Sequence, residues 1–297
     1  LRVHSLRFTG LAALWARTIF RLPVPIVAHH HHVDPDRWTR TVDARVVQRA
    51  ERTMTVSEFA RRQLIAELGA PPARVEVAYN GISATFRPDP TRWTANTEAN
   101  RPKTILHVGS LIARKNLPLL LHAFQQVAQA VSNCRLVLVG RGPEEAALRE
   151  EVTRLGLDAQ VEFAGFVTDA EKLVWYRRAD LLVSASKMEG FGLAVGEAMA
   201  CGLPVVVTNA GALPELVVDG ESGLVAPVDD PAALVATMVR VLANPALAAS
   251  LGQAGAQRIE SHFRWSMTAE RTIDIYQQEI DNWKQRRKLQ RENRSSQ

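Results

Sequence analysis

Between residues 104 and 226, short apolar runs recur at 104–108, 135–139, 161–163, 181–184, 204–208 and 223–226. Most are separated by stretches in which apolar residues return at helical spacing, at 117–131, 144–155, 170–178 and 193–200, with a further one at 231–242. The run Arg135-Leu-Val-Leu-Val-Gly140 is apolar without alternation. A strand with one wet face alternates, whereas a strand covered on both faces does not, and double covering belongs to parallel sheets with helical crossovers. The pattern predicts an α/β chain with a doubly wound parallel sheet, which takes its ligands at the carboxyl ends of its strands. Thr168-x-x-Glu171 marks the start of the third helix as a capping box.

A second alternation precedes this one. Strands are expected at 2–5, 25–30, 54–56 and 75–79, with helices at 8–21, 42–51 and 57–68. In the first helix Leu11, Leu14, Trp15 and Ile19 share a face; Ser57 caps the third, and Asn80-Gly81 closes the last strand with a turn pair suited to positive φ. From 83 to 103, Pro88, Asp89, Pro90, Asn96, Asn100 and Pro102 break any period. The 297 residues suit two domains. The expected division is a partial N-terminal Rossmann-like domain at 1–90, a linker at 91–103, a C-terminal domain at 104–265, and at 266–297 a helix and basic tail crossing back to the first domain. Leu1 is not Met and the chain opens inside a strand–helix pattern, so the first domain is expected to be incomplete.

Composition removes several classes. No apolar run approaches the roughly 18 residues of a membrane-spanning helix, and the first residues lack the basic start and long apolar core of a signal peptide. Cys134 and Cys201 stand apart with no CxxC spacing, which reads as two buried thiols in a reducing compartment and hence a cytoplasmic protein. The net charge is +5, and the segment Lys284-Gln-Arg-Arg-Lys-Leu-Gln-Arg291 carries five of the basic residues. That segment reads as a solvated helix end, or as a peripheral contact with anionic lipid or a lipid-linked acceptor at the inner membrane face. No zinc-finger spacing, paired RNP-like aromatics or basic heptads point to nucleic acid.

The chemistry concentrates after two strands. Gly140-Arg-Gly142-Pro-Glu-Glu145 follows a strand and opens a helix, but Glu145 replaces the third glycine of a dinucleotide fingerprint, and this argues against a dehydrogenase. The run Lys187-Met-Glu189-Gly-Phe-Gly-Leu-Ala-Val-Gly-Glu197-Ala-Met-Ala-Cys-Gly-Leu-Pro-Val is stronger. Gly190 and Gly192 free the backbone for close approach, and the helix from Leu193 offers unpaired N–H groups to a phosphate. Two carboxylates beside such a turn suit hydroxyl groups, a sugar on one side and a ribose on the other.

These segments resemble the retaining glycosyltransferases of family 4, which have the GT-B fold of two Rossmann-like domains. Glu189 and Glu197 match the family's E-x7-E motif, and Arg114-Lys115-Asn116 matches the basic loop after its first donor-domain strand. Val161-Glu-Phe-Ala-Gly-Phe-Val167, Ser222-Gly-Leu-Val225, Val56-Ser-Glu-Phe59 and Asn80-Gly81 also have counterparts, so the resemblance spans nearly the whole chain. It implies transfer of a hexose from a nucleoside-diphosphate sugar to a saccharide or lipid-linked acceptor, with no metal or cofactor. Residue by residue, it implies that Glu189 contacts donor-sugar hydroxyls, with Gly190 and the backbone of Phe191, Gly192 and Leu193 near sugar and diphosphate. Glu197 would hold the ribose, Lys115 with Arg114 would neutralise the departing diphosphate, and Phe166, Val167 and Arg141 would line the base pocket. His30, in the run His29–His32 at a strand exit, is the expected catalytic histidine of the first domain; polar residues ending a strand are the plainer reading. Adjacent histidines alternate sides, so the four do not share one metal. Two departures stand out: Ser110 takes the place of an arginine that Arg114 would have to replace, and the family's N-terminal glycine-rich loop has no counterpart. Arg114-Lys115-Asn116 is similar to GDP-mannose users, while UDP-glucose-type donors stay open. A sugar-nucleotide epimerase of the same fold and an inactive donor-binding fragment are the alternatives.

Overall fold

The computed structural model describes residues 1–3, 6–30, 37–89, 92 and 101–295. In chain order the elements are β1 (Arg2–Val3), α1 (Leu11–Ile19), β2 (Val27–His30), α2 (Arg37–Arg49), β3 (Arg52–Thr55), α3 (Glu58–Leu68) and β4 (Val75–Val77). There follow β5 (Lys103–Val108), α4 (Leu117–Ala130), β6 (Cys134–Val139), α5 (Glu145–Arg154), β7 (Val161–Gly165), α6 (Asp169–Arg178), β8 (Leu181–Ser184) and α7 (Leu193–Ala200). The chain ends with β9 (Val205–Thr208), α8 (Leu213–Leu216), β10 (Leu224–Ala226), α9 (Pro231–Leu242), α10 (Pro245–His262) and α11 (Trp265–Ser295). Two compact units result, Leu1–Gly81 with Ser266–Gln297, and Ile82–Trp265. Most of the expected linker, 93–100 included, lies outside the described residues, as do His31 and His32.

In the first unit the strands run parallel in the order β1-β2-β3-β4. Each crossover moves one strand further in the same direction, and right-handed crossovers that all step one way put their helices on one face. Ala13, Leu14, Val46, Val47, Leu64 and Leu68 of those helices share a core with Ile26, Ala28 and Val75. The opposite face needs a cover from elsewhere. Helix α11 supplies it: Ile275 and Tyr276 pack on Val27, Met54 and Ala78. Polar contacts fix the same helix, with Thr268 Oγ1 donating to the Tyr79 carbonyl at 2.8 Å and buried Glu279 accepting from Arg52 and Arg286. The basic tail is thus helical as far as Ser295. Helix α1 turns Ala13 and Leu14 inward and leaves Trp15 and Ile19 exposed, against the expected four-residue face. Ser57 caps α3 as read, accepting from Ala60 N at 3.1 Å.

The second unit has six parallel strands ordered β10-β9-β8-β5-β6-β7. The chain starts in the middle at β5, builds outward through β6 and β7, then returns to β8 and builds the other way. Among the strands, Ile105, Leu136, Leu138, Leu181 and Val183 face a core filled by Leu120, Phe124 and Val127 of α4, Leu148 and Val152 of α5, and Leu234 and Met238 of α9. The capping box at Thr168 and Glu171 forms as expected. At the other end of α6 the Arg92 guanidinium, largely buried, donates to the carbonyls of Tyr176, Arg177 and Ala179 at 2.9, 3.0 and 2.8 Å, satisfying acceptors that the helix end leaves without an intrahelical donor. Both cysteines are buried and unpaired, and burial pushes the Cys201 thiol up to about 12. Short α8, with Pro214 inside it, is too brief for periodicity to reveal.

The β5 and β6 loops meet backbone to backbone at Gly140, where φ is +137° and an added Cβ would sit 1.9 Å from the Gly109 oxygen. Gly140→Ala should therefore destabilise the second unit by about 2–4 kcal/mol, read as a lower urea midpoint at unchanged slope. A midpoint within error of the parent would contradict this close approach.

Candidate active site

Strand order reverses between β8 and β5, so the loops leaving their carboxyl ends diverge to opposite sides and leave a crevice between them. The loop after β5 carries Arg114 and Lys115 in a single 3₁₀ turn, ended by Asn116 in a left-handed conformation. The loop after β8 carries Glu189 and leads into α7. Lys187 N donates to the Arg114 carbonyl at 2.8 Å, which joins the two loops directly. Across that junction Lys115 Nζ lies 2.5 Å from Glu189 Oε2, and Arg114 Nη1 lies 3.7 Å from Glu189 Oε1. Lys115 and Glu189 are mostly buried, at 13% and 11% side-chain exposure, while Arg114 is half exposed. A desolvated pair of this kind is held by charge-assisted hydrogen bonding and is costly to break from one side only.

Glu189 is held from below as well. Ser186 Oγ donates to it at 3.4 Å, and its carbonyl accepts from Ala212 N at 2.9 Å. It does not cap the following helix: Gly192 is the N-cap residue of α7, at φ +101°, and among the described residues no side chain caps that end. An added Cβ at Gly192 would meet Leu213 at 2.8 Å. The α7 N-terminus therefore presents its first N–H groups and positive dipole end next to Glu189. Of the two glycines expected to use unusual backbone, Gly192 does and Gly190 is not in the left-handed region. Phe191 turns its ring inward, edge-on to Phe263 at 5.8 Å, and Leu193 is half exposed.

Glu197 lies one turn into α7 and belongs to a separate network. Both its oxygens accept from Lys172 Nζ, at 3.1 and 3.0 Å, and Oε2 also accepts from Tyr176 Oη at 2.8 Å. Neither α6 residue was singled out from the sequence, although their four-residue spacing on one helix face was available as a signal. The loops after β6 and β7 complete the rim. Gly140 N donates to the Gly165 carbonyl at 2.7 Å and Leu111 N to the Arg141 carbonyl at 3.0 Å. Arg141 is exposed beside Gly165, Phe166 is 73% exposed, and Val167 is half buried. His30 is buried at the end of β2 in the first unit, paired in register with Thr55, while its neighbour His29 bonds Tyr276 Oη through Nε2 at 2.6 Å.

His107, on β5, was missed entirely. It is buried, its Nδ1 lies 3.2 Å from the Val183 carbonyl and so carries the donated proton, and its Nε2 has no hydrogen-bond partner. Gly109 lies between this ring and the Lys115 side chain. Burial, and then the charge of Lys115, hold the imidazole down at about 4. A neutral ring under Lys115 adds no second positive charge there.

The sequence pattern of "Glycosyl transferases group 1" matches residues 91–258, and that of "Glycosyltransferase Family 4" matches residues 1–86. The D-inositol 3-phosphate glycosyltransferase of Streptomyces bingchenggensis is 31% identical over 260 residues, which is 83% of this chain and 57% of that protein. The chain thus spans little more than half the length of that relative. Sucrose-phosphate synthase from Thermosynechococcus elongatus superposes with a TM-score of 0.82 at 25% identity, covering 95% of this chain and 74% of that one. The Anabaena protein HepE, solved with UDP and glucose, gives 0.82 at 22% identity over 93% of this chain and 78% of its own. These superpositions identify the fold as GT-B.

The buried neutral histidine has a measurable consequence. An unfolded histidine takes up its proton near 6.5, whereas folded His107 does so at about 4. The unfolded state therefore binds more protons between those values, and the contribution of His107 to stability, complete above pH 6.5, is lost as pH falls toward 4. The parent should lose roughly 3 kcal/mol more than His107→Leu over that interval. Parallel stability–pH curves for the two proteins would show that folded His107 takes up its proton where an unfolded histidine does.

Proposed function

The chain belongs to the group 1 glycosyltransferases, and from that premise we propose that it transfers a hexose from a nucleoside-diphosphate sugar to a hydroxyl acceptor, retaining the anomeric configuration. The observation that carries the reading is the Lys115–Glu189 pair at the strand-order reversal, next to an uncapped helix N-terminus. Cleavage of a sugar–diphosphate bond leaves negative charge on the diphosphate and positive charge on the anomeric carbon. Lys115, Arg114 and the α7 N–H groups are fixed where they can stabilise the first, and such preorganised electrostatics is usually the largest catalytic contribution. A diphosphate carries more charge than one carboxylate and draws Lys115 from Glu189, whose oxygens then accept from sugar hydroxyls. Glu197 accepts from the ribose, and exposed Phe166 with Arg141 and Val167 offers a surface for the base. The reaction in this form needs no metal.

The similar proteins fit this reading: one is a D-inositol 3-phosphate glycosyltransferase, and another was solved with UDP and glucose. A saccharide or lipid-linked alcohol is the acceptor class, and the buried, unpaired thiols agree with a cytoplasmic location.

Calorimetry with UDP, GDP and ADP tests the donor site first. One of the three should bind, Lys115→Ala should weaken it, and Lys115→Ala should lower sugar transfer by roughly 10²–10³-fold. Failure of all three to bind the folded chain would remove the assignment. Transfer should persist in EDTA, and loss of turnover restored by a divalent cation would show that the basic residues are not the sole counter-charge.

A further inference from the structure

The two glutamates at the site are held in different ways. Glu189 meets cations carried by the facing loop across the crevice, whereas Glu197 is gripped from behind by a neighbouring helix. On α6, Lys172 and Tyr176 stand four residues apart and both reach back to α7. Tyr176 is fully buried, with its ring edge-on to Phe86 at 5.8 Å. Lys172 Nζ sits 5.2 Å from the centre of the same Phe86 ring and 2.9 Å from Asp169 Oδ1. Neither side chain is free to follow Glu197 if the carboxylate turns.

The terminal torsion of a glutamate is broad, and an isolated carboxylate rotates about it. Here the Lys172 ammonium takes one lone pair on each oxygen and the Tyr176 hydroxyl takes a further one on Oε2. A carboxylate has about four such positions. The α6 side is therefore filled, and the remaining acceptor capacity is on Oε1. The ammonium also offsets a negative charge that would otherwise stand near the diphosphate and repel it. Burial, then the adjacent Glu197 charge, pushes the Tyr176 hydroxyl well above its usual range, so it remains a donor.

Building on the donor site proposed above, we propose that Tyr176 and Lys172 are positioning residues that aim the Glu197 carboxylate at a ribose hydroxyl, and so set the preference for ribose over deoxyribose nucleotides. Neither residue touches the donor; both act through Glu197. A merely structural role for either would weaken all nucleotides alike.

The test compares affinities of the chain for UDP and GDP with those of the 2′-deoxy and 3′-deoxy diphosphates of the same bases. The parent should favour the ribonucleotide over at least one deoxy form by about tenfold, the size of one hydrogen bond to a charged acceptor. Tyr176→Phe keeps the ring against Phe86 and should bring that ratio close to one, mainly by weakening the ribonucleotide. If Tyr176→Phe does not fold, Lys172→Met, at a half-buried position, is expected to reduce the ratio in the same way. A ratio unchanged in the folded variants overturns the proposal and leaves the donor site standing. A parent that binds ribo and deoxy forms equally overturns it too, whereas failure of every nucleotide to bind removes the donor site along with it.

Discussion

Everything at the candidate site follows from where the second unit begins its sheet. Because β5 is central, the chain must build outward twice, and right-handed crossovers in opposite directions send the helices of each half to opposite faces. The strand loops at the reversal therefore part, and the loops after β5 and β8 carry groups that bridge the gap. Lys115 and Glu189 occupy those loops. The bond from Lys187 N to the Arg114 carbonyl holds the loops in one register, so the ion pair rests on backbone rather than on two flexible side chains alone.

Charge around this crevice is closely matched. Lys115 is offset by Glu189, Glu197 by Lys172, and His107 beneath Lys115 stays neutral. Buried charges survive only with partners, and here each partner is also a group the proposed reaction would use or aim. In the proposed reaction a diphosphate reaching Lys115 would take the partner of Glu189, whereas Glu197 keeps its contacts with Lys172 and Tyr176 on α6.

The first unit has the contrary topology. Its strands follow one another in simple order, all crossovers step one way, and one face of the sheet is left without helices of its own. Helix α11, more than two hundred residues further along the chain than β2, covers that face through Ile275 and Tyr276. The helix and basic tail expected at 266–297 form one long helix that buries Ile275 and Tyr276 ahead of its basic end, and the buried Glu279 is paired by Arg52 and Arg286.

Sequence alone determined the local elements and the identity of the chemical groups. Unbroken apolar strands, the Ser57 and Thr168 caps and the Glu189–Glu197 spacing are all near-neighbour effects, legible because strand, turn and helix preferences act over a few residues. The wording of two segments also singled out Lys115, Arg114, Glu189 and Glu197 as the groups of the proposed site. The tertiary structure decided the partners. Lys115 and Glu189 are 74 residues apart, and only the reversal of strand order brings them to 2.5 Å. Lys172 and Tyr176 read as ordinary helix residues until α6 is laid against α7, and His107 reads as a strand residue until burial strips its proton. Periodicity along one segment carries no information about which second segment will face it, and the charge state of a side chain depends on that second segment.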